Sequence, residues 1–130
     1  NVLDSMHPSL PFGIAQIGKA FRNEIAPRDF LFRVREFDLM EFEYFIKEAE
    51  WEEHFEKWRK EIWAWIEKIG IRKEAVHERE VPKEERAHYS KRTIDFEFDF
   101  PFGKKELYGL AYRDDYDLSR HMECSGADLR

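Results

Sequence analysis

The chain has 130 residues, of which 42% are hydrophobic and 16% aromatic, and this supplies enough apolar surface for one globular core. Its formal net charge of -6 argues against binding nucleic acid through a whole basic face, so we expect any RNA contact to be local to a loop. The single cysteine, Cys124, has no internal partner for a disulfide, which is typical of a reducing compartment. No apolar run reaches the length of a membrane span, and we expect a cytoplasmic protein.

The first third of the sequence predicts two strands joined by a charged loop. Residues 10–21 alternate along mostly uncharged side chains, as in a strand with both faces covered. Pro27 disfavours helix in the residue before it, so residues 25–29 predict a turn. Residues 31–45 predict a second strand, which is long enough to pair antiparallel with the first.

The clearest helix is predicted over residues 48–70, where large apolar side chains recur at spacings of three and four. Gly70 falls where helices commonly end. The apolar stripe could bind a partner helix, but we expect it to pack on a sheet. It consists of Trp51, Phe55, Trp58, Ile62, Trp65, Ile66 and Ile69.

The remaining sequence predicts further strands and a final helix. Residues 73–81 predict a short strand, and residues 83–89 a charged turn or a short helix. Residues 93–100 alternate between apolar and acidic side chains, and residues 105–113 return as the partner strand after a turn. Residues 114–122 predict a helix. The fold class that follows is α+β, with an antiparallel sheet and one long helix against it.

Side chains that carry chemistry concentrate in the first two predicted strands. Arg22 and Glu24 follow the first strand, and two arginines, a ring and a carboxylate recur along the second. Such a row could bind a triphosphate, stack a base and bind an ammonium group, or it could be an exposed face with cross-strand salt bridges. On the residues alone, Glu106 and Arg113 are most simply a solvated strand edge. Strand alternation places on one face Arg33, Arg35, Phe37, Leu39 and Glu41.

The pattern F-R-x-E, a loop, then R-x-x-x-F-x-x-x-E resembles motif 2 of class II aminoacyl-tRNA synthetases. The longer string is similar to glycyl-tRNA synthetases of the archaeal/eukaryotic type: Gln16-Ile-Gly-Lys-Ala-Phe-Arg-Asn-Glu-Ile-Ala-Pro-Arg28, then Arg33-Val-Arg-Glu-Phe37. A downstream segment resembles the same family: Glu106-Leu-Tyr-Gly-Leu-Ala-Tyr-Arg113, then Tyr116-Asp-Leu-Ser-Arg-His121. The resemblance implies the antiparallel sheet of the class II catalytic domain with packed helices.

The resemblance also implies a site for ATP. Arg22 would bind the α-phosphate and Arg33 the γ-phosphate side, while Phe37 would stack on the adenine. Glu24 would accept a hydrogen bond from the adenine amino group, with Asn23 beside it. Arg22 and Glu24 are the implied catalytic residues. The implied ATP contacts are Arg22, Asn23, Glu24, Arg33, Val34, Phe37, Glu106 and Leu107.

Further implied contacts involve glycine, metal and tRNA. Glu41 would bind the glycine ammonium group, and Arg113 would help to close the amino-acid pocket. Glu106 would contact ATP through Mg²⁺, with the backbone near Leu107. Arg28, in the loop of residues 25–32, would contact the tRNA acceptor end.

The implied activity is that of a glycine–tRNA ligase, which activates glycine with ATP and transfers it to the 3′ end of tRNA(Gly). Asn1 is not an initiator Met, and motif 1, motif 3 and the anticodon-binding domain have no counterpart in residues 1–130. We therefore expect residues 1–130 to be part of the catalytic domain of a longer, homodimeric enzyme. The alternative is a non-catalytic, synthetase-like accessory or regulatory module that binds nucleic acid or a protein partner.

Histidine and cysteine do not predict a zinc site. The five histidines are scattered along the chain without the spacing of zinc ligands. His121 and Cys124 could act as two ligands, but a site needs more than two, and an ordinary helical surface is the simpler interpretation.

Overall fold

The computed structural model describes residues 2–129, and the chain ends Asn1 and Arg130 lie outside the described residues. The strands form two antiparallel sheets, and the chain divides into a first unit that ends at Trp51 and a second unit that starts at Glu52. The predicted α+β class is confirmed. The elements are α1 (Val2–Met6), β1 (Phe12–Phe21), β2 (Glu36–Phe45), α2 (Trp51–Lys68), β3 (Val76–Glu80), β4 (Ser90–Phe100), β5 (Gly103–Arg113) and α3 (Tyr116–Ser125).

The first unit is built on the β1–β2 pair. The two strands are in register over ten residues each, from Phe12 opposite Phe45 to Phe21 opposite Glu36. The predicted first strand is confirmed, whereas the second starts five residues later than predicted. Its start is delayed because Asp29 and Phe30 have positive φ angles of 55° and 54°, which turn the chain instead of extending it.

The second unit places α2 on one face of the β3–β4–β5 sheet. The Trp63 ring meets the Phe96 ring edge-on with centroids 5.8 Å apart. Trp63 is not part of the predicted stripe, but the stripe residues Phe55 and Ile66 are buried, and the guanidinium carbon of Arg92 on β4 lies 4.4 Å from the centroid of the Phe55 ring. These contacts confirm that the apolar stripe of the helix packs on a sheet. The side chains that form this core are Phe55, Ile66, Ala75, Val76, Val81, Ile94 and Phe96.

The helix α2 ends close to Gly70, as the sequence predicted. This glycine has a φ of 82°, a conformation that costs glycine little. Its N–H donates to the Glu67 carbonyl at 3.0 Å, and the Ile71 N–H donates to the Ile66 carbonyl at 3.1 Å. The two bonds satisfy carbonyls that the helix end would otherwise leave unpaired.

Several boundaries in the second unit differ from the sequence predictions. Residues 73–75 form a single 3₁₀ turn, so β3 starts only at Val76. Residues 83–89 form turns, which is one of the two alternatives that the sequence predicted. The last helix, α3, extends to Ser125 and ends at Gly126 in the left-handed conformation. No helix within residues 2–129 is long and apolar enough to cross a membrane.

A polar contact ties α2 to β3 beside the core. The Arg59 Nε donates to both carboxylate oxygens of Glu78, at 2.8 and 2.9 Å, and the Trp63 indole N–H donates to the same carboxylate. The hydrogen bonds from Arg59 hold the pKa of Glu78 below the usual range of a glutamate. Glu78 is therefore charged in the folded chain at neutral pH.

We expect Phe96→Ala to lower the free energy of unfolding by about 3–5 kcal/mol, because the ring is fully buried and its loss leaves a cavity. Phe30→Ala removes the same side chain where it is 90% exposed, and it should cost less than about 0.5 kcal/mol. Denaturant unfolding of both variants measures the two values. Equal losses would contradict the described core.

The lowered pKa of Glu78 gives a stability contribution that is present above its unfolded-state pKa. That contribution disappears as the pH falls through the folded-state pKa. We expect Glu78→Gln to be less stable at pH 7 and to lose less stability than the wild type on acidification. Unfolding free energies at pH 7 and in the acid range measure this, with the exposed Glu84→Gln as the control. An unchanged acid dependence in Glu78→Gln would contradict the assignment.

Candidate functional site

The register of β1 and β2 sorts their side chains into two faces. The Phe12 and Phe45 rings lie opposite each other and stack with centroids 4.8 Å apart. Alternation from this pair puts the even-numbered residues of β1 and the odd-numbered residues of β2 on one face, which we call the site face. It comprises Phe12, Ile14, Gln16, Gly18 and Ala20 from β1, and Phe37, Leu39, Glu41, Glu43 and Phe45 from β2.

The site face confirms part of the predicted row. Phe37 and Glu41 lie on it, opposite Ala20 and Gln16 respectively. The residue between these partners is Gly18, and a Cβ added there would meet a single atom within 4 Å, the Gln16 Nε2 at 3.9 Å. The strand positions opposite Phe37 and Leu39 thus carry only the small residues Ala20 and Gly18.

Arg22 and Glu24 follow β1 at the end of this face. The guanidinium carbon of Arg22 lies 5.3 Å from the centroid of the Phe37 ring, within the range of a cation–π contact. The Glu24 N–H donates to the Arg22 carbonyl at 2.9 Å, which makes a tight turn of residues 22–24. The predicted cation and ring are therefore neighbours in the structure.

The prediction that Arg33 and Arg35 continue the row is wrong, because both precede the start of β2. The backbones of Arg28 and Arg33 form a two-bond bridge, at 3.0 and 3.1 Å, that closes the loop before the strand starts. The Arg33 guanidinium carbon lies 5.4 Å from the centroid of the Phe32 ring. The Arg35 side chain turns back, and its Nε donates to the Glu24 carbonyl at 2.9 Å.

The middle of the loop between the two strands, residues 25–32, presents one cation and several apolar side chains to the surroundings. Arg28 is exposed, and its Nε lies 3.8 Å from an Asp29 carboxylate oxygen. Phe30 and Leu31, at the turn, are among the most exposed large apolar side chains of the described residues, as is Ile25. Val34, after the bridge, is half-buried.

In the second unit, an irregularity of the β4–β5 ladder determines on which face of the sheet Glu106 lies. Phe96 lies opposite Tyr108, but the next residue, Glu97, lies opposite Glu106, so Leu107 is an extra, bulged residue. The bulge leaves Tyr108 on the side of α2, where the Trp65 indole N–H donates to its hydroxyl at 3.2 Å. It puts Glu106 on the opposite side. Strict alternation would have placed both side chains on the same face.

Gly109 confirms this placement of Glu106. A Cβ added to Gly109 would lie 3.1 Å from a Glu106 carboxylate oxygen, so the carboxylate lies against the glycine. Asp95, which pairs with Gly109, lies on the same face of the sheet. Burial, with the nearby charge of Glu97 as a smaller contribution, raises the pKa of Asp95 above its ordinary value.

Arg113 ends β5 between two partners, one aromatic and one acidic. Its guanidinium carbon lies 4.0 Å from the centroid of the Tyr89 ring, and one Nη donates to the Asp117 carboxylate at 2.8 Å. The i,i+4 spacing to Asp117 was visible in the sequence, but the approach of Tyr89 depends on how β4 enters the sheet. Arg113 thus has two side-chain partners, although its side chain stays 46% exposed at the end of an edge strand.

Within residues 2–129, no group of three or more His, Cys, Asp or Glu side chains is arranged to hold a metal ion. His121 and Cys124 both lie exposed on α3. A metal that binds partly through substrate phosphates needs only one or two protein carboxylates.

The chain matches the tRNA synthetase class II core domain (G, H, P, S and T) over residues 2–129. It therefore belongs to the class II tRNA synthetase core-domain family. This confirms the family and the catalytic-domain fold that the F-R-x-E hairpin predicted.

Curated relatives within this family are glycine–tRNA ligases. The chain is 53% identical over 130 residues to the enzyme of Ureaplasma urealyticum serovar 10, and 51% identical over 129 residues to that of Geobacillus kaustophilus. It is 47% identical over 130 residues to the enzyme of Treponema denticola. These matches cover 99%, 99% and 100% of the chain but only 28%, 28% and 29% of the relatives. All three relatives are bacterial, so the archaeal/eukaryotic type implied by the resemblance finds no support in them.

Proposed function

We propose that this chain is a segment of the catalytic core of a glycine–tRNA ligase, which forms glycyl-adenylate from glycine and ATP and transfers glycine to the 3′ end of tRNA(Gly). The observation that carries the proposal is the site face, on which Phe37 and Glu41 are aligned by strand register with the Arg22 cation against the ring. Support comes from the identity of about half of the residues to ligases of that name.

The proposed ATP contacts follow the order of groups along the hairpin. The adenine would stack on Phe37 above the small side of β1, and its amino group would donate to Glu24. Arg22 would bind the α-phosphate, and Arg33, with the Val34 backbone nearby, the γ-phosphate side. Asn23 lies between two of these residues in the tight turn and would contribute to the same contacts.

The proposed reaction needs no general base, because the glycine carboxylate is itself the nucleophile. Its oxygen forms a bond to the α-phosphorus while the bond from that phosphorus to the pyrophosphate oxygen breaks. Negative charge grows on the α-phosphate oxygens during this step, and a fixed guanidinium such as that of Arg22 stabilises it. Arg22 is thus the proposed catalytic cation, and Glu24 supports catalysis by orienting the adenine.

Glu41 is the proposed partner of the glycine ammonium group. It lies about 13 Å along the strand from Phe37, since a strand rises about 3.3 Å per residue. This separation leaves room for a ribose and a phosphate between a stacked base and an amino group. In the second unit, the guanidinium of Arg113, held by Tyr89 and Asp117, is the proposed further contact of the amino acid.

Mg²⁺ fits the carboxylates of the second unit as a companion of ATP. Glu106 and Glu97 are opposite each other across the ladder, and Mg²⁺ in nucleotide sites commonly binds one or two carboxylates together with substrate phosphates. Glu106 is the proposed ligand, with the backbone of the bulged Leu107 beside it. When bound, the ion would neutralise charge on the phosphates.

Outside the adenylate site, we assign the loop of residues 25–32 to the tRNA acceptor end. Arg28 would contact a phosphate there, and the exposed Phe30 offers a ring for an unstacked base. The parent enzyme is proposed to be cytoplasmic and homodimeric, with motif 1, motif 3 and the anticodon-binding domain contributed by sequence beyond this segment.

The full-length protein should catalyse glycine-dependent exchange between ATP and pyrophosphate. Because Arg22 would stabilise charge only as the transition state forms, Arg22→Ala should lower the exchange rate by about a hundredfold or more. Arg120→Ala, which removes an exposed guanidinium paired with Glu123 on α3, is the matched control and should have little effect. No exchange with glycine would refute the proposal, and no ATP binding by calorimetry would favour the non-catalytic accessory module.

Gly109→Ala tests the placement of Glu106. The added methyl group would lie 3.1 Å from the carboxylate oxygen, so the side chain of Glu106 must shift. We expect the KM for Mg·ATP to rise about fivefold, the equivalent of about 1 kcal/mol, while the free energy of unfolding stays unchanged or rises. Steady-state kinetics and denaturant unfolding on the same variant measure both. An unchanged KM for Mg·ATP would count against Glu106 as a contact of the nucleotide.

A further inference from the structure

One residue, Arg35, fastens the turn of residues 22–24 from the other arm of the hairpin. Its carbonyl accepts the Arg22 N–H at 3.0 Å, and its Nε donates to the Glu24 carbonyl at 2.9 Å. Inside the turn, the Glu24 N–H donates to the Arg22 carbonyl at 2.9 Å. The first and last residues of the turn are therefore bound to the same residue.

These hydrogen bonds join the two arms of the hairpin beyond the end of the β1–β2 ladder. The β1–β2 register ends with Phe21 opposite Glu36, and the next backbone pairing is the bridge of Arg28 with Arg33. Between these two points, the hydrogen bonds across the hairpin that the described residues show are the two made by Arg35. Of the two, only the bond to the Glu24 carbonyl depends on the side chain.

Within residues 2–129, the Arg35 side chain is engaged in this contact and not in an ion pair. Among the salt bridges of residues 2–129, none involves Arg35, and its recorded partner is a main-chain carbonyl. A charged donor to a carbonyl forms a stronger hydrogen bond than a neutral one. The guanidinium is thus suited to holding the backbone of Glu24 in place.

We propose that Arg35 is a positioning residue for adenine recognition, which acts through the main chain of Glu24 without touching the nucleotide. The inference rests on the proposed function, in which Glu24 accepts from the adenine amino group. If the carbonyl of Glu24 is released, its carboxylate loses a fixed position relative to the Phe37 ring. The phosphate contact of Arg22 depends less on the side chain, because the Arg22 N–H is bound to the Arg35 backbone.

Three substitutions in the full-length protein separate the hydrogen bond from the charge. Arg35→Gln keeps an N–H donor at the ε position and removes the charge, whereas Arg35→Lys keeps the charge and has no donor at that position. Arg35→Met has neither. Each variant is assayed by glycine-dependent ATP–pyrophosphate exchange, with ATP and with purine ribonucleoside triphosphate, which lacks the amino group. Arg120→Met, on α3, is the matched control.

With ATP, we expect Arg35→Met and Arg35→Lys to raise the KM about tenfold, and Arg35→Gln to stay within about threefold of the wild type. The kcat should change less than about twofold. With the nucleotide that lacks the amino group, the KM values of the wild type and Arg35→Met should agree within about twofold, because the group that Glu24 would bind is missing.

Three results would overturn the inference: no change of KM in any variant, recovery by Lys but not by Gln, or an equal loss with both nucleotides. If Arg35→Met does not fold, the KM values for ATP of Arg35→Gln and Arg35→Lys are sufficient to test the inference. A wild-type protein that shows no glycine-dependent exchange would refute the proposed function instead. The role of Arg35 would then be decided by calorimetric binding of the two nucleotides to the same variants.

Discussion

The antiparallel register of β1 and β2 is the constraint on which the proposed site depends. A shift of one residue would move Phe37 and Glu41 to the opposite face, since side chains alternate along a strand. Contacts on both faces specify the register. On the site face, Phe12 stacks on Phe45. On the other face, a Cβ added to Gly13 would lie 2.5 Å from the Phe42 ring, so the ring packs on the bare backbone of the glycine.

In the second unit, packing against α2 and a β-bulge determine on which face of the sheet the side chains lie. Its sheet must give apolar side chains to α2 on one face, and the burial of Ile94 and Phe96 fixes which face that is. The bulge at Leu107 then lets β5 contribute Tyr108 to the helix side and Glu106 to the opposite side. Packing thus determines which face of the sheet is buried, and the bulge at Leu107 determines that the Glu106 carboxylate lies on the opposite face.

Sequence reasoning succeeded where an apolar pattern determines the structure. The alternation of residues 93–100 and the stripe of α2 predicted the faces that are buried, because burial of those side chains is the main favourable contribution to folding. The pattern of F-R-x-E and R-x-x-x-F-x-x-x-E predicted the family, and alternation within β2 predicted the alignment of Phe37 with Glu41.

Sequence reasoning failed where a single hydrogen bond or backbone torsion determines the direction of a side chain or the start of a strand. Arg35 looks like a continuation of the strand, but its side chain is directed by a bond to Glu24, eleven residues away in the sequence. The left-handed conformations of Asp29 and Phe30 carry no glycine signal, so the late start of β2 was not predictable. The bulge at Leu107 likewise depends on the pairing partner of β5 and not on its own sequence.

The central claim is that the site face holds a nucleotide through the Phe37 ring. A crystal structure of the full-length protein with glycine and a non-hydrolysable ATP analogue tests it most directly. We expect the adenine to stack on Phe37 with its amino group at hydrogen-bond distance from Glu24, and the ammonium group of glycine to lie beside Glu41. An analogue bound elsewhere, with the Phe37 ring uncovered, would contradict the account.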